Sequence, residues 1–161
     1  RRLALVALNG RSLHPLDRVV RHRVALAQVL EERFPQLRMV RVPDLPPDAQ
    51  GADEALSGFL GGGIDSSSVA GIYNVGSGSA GVAKALARLG QTSEVGVIAH
   101  DLTDEHRTLL TADALSYLLH QDIHYCVLAA ARVLRAQCEN VRGALNVAQP
   151  RIEILTAENL D

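Results

Sequence analysis

Short apolar runs alternate with segments of helical period along nearly the whole chain, and that alternation constrains the fold more than any other feature. Leu3 to Leu8 is continuously apolar and stops at Asn9-Gly10, the pattern of a strand buried on both faces. Leu16, Val20, Val24, Ala27 and Leu30 then recur at helical spacing between Pro15 and Pro35. Proline suits a first helical turn and cannot continue a helix, so the two prolines bracket this one. Leu37 to Val42 alternates apolar residues with arginine, as an edge strand does. After the loop Pro43 to Gly51, the spacing predicts a helix from about Ala52 to Leu60, a strand Val69 to Tyr73, and a helix Ser77 to Leu89 ended by Gly90. A strand Val95 to Ala99 follows, then a helix Thr103 to Leu110 that opens with capping residues. The series closes with a strand Ala114 to Leu119, a helix Ile123 to Gln137 and a short strand Arg151 to Leu155. Strands alternating with helices predict an α/β fold: a parallel sheet with helices on both faces, five parallel strands, and a last helix and strand appended.

The chain's 161 residues suit one such domain. Its formal charge of −2 argues against a nucleic-acid footprint on this stretch. No apolar run approaches the roughly 20 residues of a membrane span, so no membrane partner is expected. Arg1 stands where an initiating methionine would, and a preceding segment is expected. Cys126 and Cys138 fall on one helix and its end, roughly 18 Å apart along the axis, too far to bridge. Packed, reduced cysteines fit a cytoplasmic location.

In open parallel sheets, ligands bind beyond the carboxyl ends of the strands. The first strand is followed by Asn9, the third by Asn74, the fourth by Asp101 and the fifth by Gln121. Four strand ends thus deliver an amide or a carboxylate to one margin. Such groups exchange hydrogen bonds with hydroxyls, and none is a strong nucleophile. That suits a polyol ligand and no catalysis. Taken singly, each residue is equally a helix or turn cap.

Three runs carry a resemblance: Gly71-Ile72-Tyr73-Asn74-Val75-Gly76, Val97-Ile98-Ala99-His100-Asp101-Leu102-Thr103, and His120-Gln121-Asp122. With the tail Ile152 to Leu160, they resemble the effector-binding domain of LacI/GalR-type transcriptional regulators. The resemblance covers nearly the whole chain. It implies one lobe of a type I periplasmic-binding-protein-like fold, whose two lobes close on a small effector, a sugar or sugar derivative. It places Asn74, Asp101 and Gln121 at effector-contacting positions. It aligns His22 with a family arginine on the first helix of the lobe, where Arg18, one turn earlier, supplies an alternative cation. It assigns residues 1–122 to the C-terminal lobe. It assigns residues 123–161 to a helix and strand that in the family pack on an absent first lobe; here they would repack on the remaining lobe or on a neighbouring chain. It also implies a homodimer, and DNA contact through an N-terminal helix-turn-helix that this stretch lacks.

Other signals are weaker. Gly76-Ser77-Gly78-Ser79-Ala80-Gly81 is a formal GxGxxG after a strand, and Asp101 lies 25 residues on, as in a dinucleotide-binding enzyme. Its plainer reading is a turn of small residues that lets the helix approach the sheet closely. His120 and His124 stand one helical turn apart, yet no third metal ligand is evident. Neither an enzyme nor a cofactor is therefore expected. A periplasmic sugar-binding transport protein, which shares the fold, is the other alternative. Tyr73, the one plausible stacking ring, should face away from the cleft if its neighbour Asn74 faces into it.

Overall fold

The structure is a computed structural model that describes residues 2–8, 18–42, 45–140 and 147–160, with side chains from residue 24 onward. It holds six strands and five α-helices among these residues. In chain order they are β1 (Arg2–Leu8), α1 (Arg18–Arg33), β2 (Leu37–Arg41), α2 (Ala49–Gly61), β3 (Val69–Val75), α3 (Ser79–Arg88), β4 (Gly96–His100), α4 (Asp104–Thr111), β5 (Tyr117–Gln121), α5 (Ile123–Cys138) and β6 (Ile152–Leu155). The sheet order is β2-β1-β3-β4-β5-β6. The first five strands run parallel and β6 joins antiparallel. This is the expected α/β lobe.

The main core lies under α2, α3 and α4. Leu56 of α2, Val82 and Leu86 of α3 and Leu110 of α4 close over Ile72, Val97 and Leu118 of the sheet, each at most 2% exposed. Alternation along the strands sends their neighbours Tyr73, Ile98 and Leu119 to the other face. There Tyr73 and Val75 meet Leu26 of α1 and Met39 of β2.

Two helix starts differ from the sequence expectation, each for a local reason. α2 begins three residues early because Asp48 caps it, its carboxylate accepting from the Gly51 N–H at 2.7 Å. Asp48→Ala should cost about 1 kcal/mol of stability, read from the midpoint of urea unfolding. α3 begins late because Gly76 and Gly78 take φ of +129° and +86°, values outside the helical region. α4 starts as expected, with the Thr103 hydroxyl accepting from the His106 N–H at 3.1 Å.

The segment 123–161 divides. β6 pairs in register with β5, from Leu118↔Leu155 to Gln121↔Ile152, because the outer edge of β5 offers unpaired backbone groups. Leu155 and Leu160 pack against the main core. Among the described residues α5 buries Ala136 and exposes Ile123, Val127, Leu128 and Leu134.

Candidate functional site

Parallel register brings the carboxyl ends of β3, β4 and β5 together. Tyr73 pairs with Ile98, and His100 with Leu119, so Asn74, Asp101 and Gln121 lie along one margin of the sheet. Their environments differ. Asn74 is fully enclosed at 0% exposure. Asp101 and Gln121 are half-buried. Asn9 lies outside the described residues. Arg18 and His22 lie in α1, and their side chains fall outside the described set.

Asp101 occupies the turn after β4 with φ +63°. Aspartate and asparagine tolerate this left-handed conformation better than other residues with a Cβ. The turn is held on both sides. The Asp101 N–H donates to the Leu119 carbonyl at 2.9 Å, and the Asp101 carbonyl accepts from His106 Nδ1 at 2.7 Å. Beside it the Leu102 N–H donates to His120 Nδ1 at 3.3 Å.

Asn74 is more constrained than the sequence reading allows. Its Nδ2 donates to the Ser77 carbonyl at 3.2 Å and to Ser79 Oγ at 2.8 Å. The expectation that Asn74 both donates to and accepts from a ligand is therefore corrected: both amide hydrogens are committed internally. Its Oδ1 is buried and has no partner among the described residues.

Ser79 and His106 are functional candidates that sequence reasoning passed over. Ser79 is 0% exposed and His106 5%. His106 Nε2 lies 2.8 Å from Ser79 Oγ, so the two join the Asn74 turn to the Asp101 turn. Nothing in local spacing signals a pair 27 residues apart. A histidine on the apolar stripe of a short helix was the one available hint.

The glycine turn explains itself structurally. Gly76 and Gly78 supply positive φ, and Gly81 lets α3 approach α2 (a Cβ there would sit 2.5 Å from the Ala49 carbonyl oxygen). No group of three His, Cys, Asp or Glu side chains among the described residues is placed to hold a metal. No helix among them is long and apolar enough to cross a membrane. Both cysteines are free. Tyr73 faces away from Asn74, as alternation requires. Its ring meets His100 edge-on, and its Oη lies 2.5 Å from His100 Nε2. It lines an apolar hollow of about 730 Å³ with Leu26, Val29, Ile98, Tyr117 and Leu119. Those walls offer a polar ligand almost nothing, so the hollow is not the margin described above.

No protein-family model matches the chain, and no curated protein matches it by sequence. Solved structures do match. A glucose-galactose binding protein from Geobacillus stearothermophilus superposes with TM-score 0.78 at 14% identity, over 99% of this chain and 54% of that one. The arabinose binding protein AraP of the same organism gives 0.74 at 18% identity, over 98% and 55%. The fold is that of a periplasmic-binding-protein lobe. A putative LacI transcriptional regulator from Bacteroides fragilis has the same fold, with TM-score 0.75 at 18% identity over 99% and 53%. The chain thus spans about half the length of each of these proteins.

Proposed function

We propose that this chain is one lobe of a two-lobed sensor for a small neutral polyol, a sugar, within a LacI-type transcriptional regulator. One observation carries the reading. In a lobe of this fold, the ends of β3, β4 and β5 set Asn74, Asp101 and Gln121 along one margin, where parallel sheets hold ligands. Structural neighbours that bind sugars, AraP and the glucose-galactose binding protein among them, support the ligand class. The regulator from Bacteroides fragilis, with the sequence resemblance, supports the regulatory role. On this reading Asp101 accepts from ligand hydroxyls, Gln121 donates and accepts, and a cation on α1, Arg18 or His22, closes one side. Asn9, which follows the first apolar run in the sequence, is a fourth candidate contact. Effector binding favours the closed arrangement of two lobes and so shifts a dimeric, cytoplasmic protein between DNA-binding states through a helix-turn-helix ahead of this stretch.

Two measurements test this. Calorimetry of the 161-residue chain with glucose, galactose or arabinose should show weak, millimolar binding at best, because half of a closed site is missing. Micromolar affinity would contradict a shared, two-lobed site. In the complete protein, Gln121→Ala should weaken sugar binding about fivefold, the worth of one neutral hydrogen bond. Unchanged affinity would remove Gln121 from the site. The same fold serves sugar-transport binding proteins, and the coding sequence upstream separates the two roles: a helix-turn-helix for the regulator, a signal peptide for the transporter.

A further inference from the structure

We infer that α5 docks into the apolar hollow of a second copy of this chain, while that copy's α5 docks into the hollow of the first. The surfaces involved are apolar and separate from the polar margin, so the inference stands independently of the sensor reading. α5 has two apolar faces. Tyr125, Ala129, Val133 and Ala136 recur at helical spacing and are half-buried or buried. On that side the Tyr125 hydroxyl donates to the Ala148 carbonyl at 2.6 Å. Ile123, Val127, Ala130 and Leu134 follow the same spacing on the opposite side, and all four are exposed. Ile123, Val127 and Leu134 each keep more than half of their surface in water. Single exposed apolar side chains are ordinary, but a continuous stripe over about three turns marks a contact surface.

The hollow supplies the complementary shape. One face of the sheet lies under α2, α3 and α4. On the other, the hollow of about 730 Å³ has Ile98 and Leu119 as its floor, Leu26 and Val29 of α1 on one side and Ile154 of β6 on the other. Tyr117 and Ile154 at its outer side are about half exposed. Sheets of this kind are ordinarily covered by helices on both faces, so the hollow has the place and the polarity of a bed for one more helix. None of its lining residues belongs to α5. The chain therefore carries a convex apolar stripe and a concave apolar trough that do not meet within one copy. A small apolar ligand would fill the trough and leave the stripe in water. Pairing α5 with α5 would cover the stripe and leave the trough open. Exchange between two copies covers both, and because the contact is the same in each direction it closes as a two-fold dimer. With 16 residues, α5 is roughly 24 Å long. Two such helices seated in two hollows bury on the order of 1,000 Å², the size at which specific interfaces begin.

Sedimentation velocity on the 161-residue chain should show a dimer at micromolar concentration. Val127→Asp in the stripe and Ile154→Asp at the hollow each place an unpaired charge in the contact and should weaken dimerisation by about tenfold or more. Both replace exposed residues, so far-ultraviolet circular dichroism should be unchanged. Leu89→Asp, exposed just after α3, should leave the dimer intact. The deciding measurement mixes the two disruptive variants. The intact α5 of the Ile154→Asp chain can enter the intact hollow of the Val127→Asp chain, so the mixture should dimerise where neither variant does alone. A monomeric unsubstituted chain would overturn the inference and give the stripe and the hollow to other occupants. Failure of the mixture to associate would overturn it in favour of stripe-to-stripe pairing. Equal loss in all three variants would reduce the association to unspecific apolar contact.

Discussion

Gly81→Ala is expected to destabilise the lobe by about 2–3 kcal/mol, although alanine is the better helix former by about 1 kcal/mol. The added Cβ would lie 2.5 Å from the Ala49 carbonyl oxygen, 2.5 Å from Ala52 Cβ and 2.8 Å from the Asp53 nitrogen. Two of these atoms are backbone, so no side chain can swing aside; α2 and α3 must separate. Their separation would loosen a core that includes Leu56, Val82, Ala85 and Leu86. Gly58 is the control. It lies within α2 with nothing within 4 Å of its would-be Cβ, so Gly58→Ala should stabilise by up to about 1 kcal/mol. Urea unfolding of the two variants should shift the midpoint in opposite directions. A shared upward shift would mean that the two helices do not lie as close as the structure has them.

The largest expected effect on binding belongs to Asp101. Hydrogen bonds to a charged group are worth roughly 1.5–3 kcal/mol net, so removing this carboxylate should weaken sugar binding by the complete protein about ten- to a hundredfold. The choice of variant matters because φ is +63° here. Alanine would add backbone strain of roughly 1–2 kcal/mol in the left-handed region and confuse folding with binding. Asparagine and glycine both accept that conformation. Asp101→Asn keeps the shape and one acceptor oxygen and should lose about tenfold; Asp101→Gly removes the group and should lose more. Titration calorimetry alongside thermal unfolding separates the two effects. Sugar affinity unchanged in Asp101→Gly would show that the carboxylate does not touch the ligand.

Much of this was legible in the residues. The apolar runs from Leu3 and from Val69, and the helical spacing of Ile123, Val127 and Val133, mark strands and a helix, because periodicity follows directly from strand and helix geometry. The polar residues that close β3, β4 and β5 were visible for the same reason, since a strand end is where an apolar run stops. Other features depended on partners far away in the chain. Asn74 appears in the sequence as an open ligand group, and only the approach of Ser79 and His106 shows its amide already committed. The tail from Ile152 reads as a strand that packs on another lobe, on this one or on a neighbouring chain, and the edge of β5 is where it lies. Gly81 reads as the last glycine of a dinucleotide-binding pattern, and the proximity of α2 shows what that glycine is for. By itself the sequence determined the elements, their order and the margin on which polar groups gather, because those depend on local periodicity and on where apolar runs end. The tertiary structure alone decided which of those polar groups keep an open valence, because hydrogen-bond saturation is set by atoms brought within about 3 Å from distant parts of the chain.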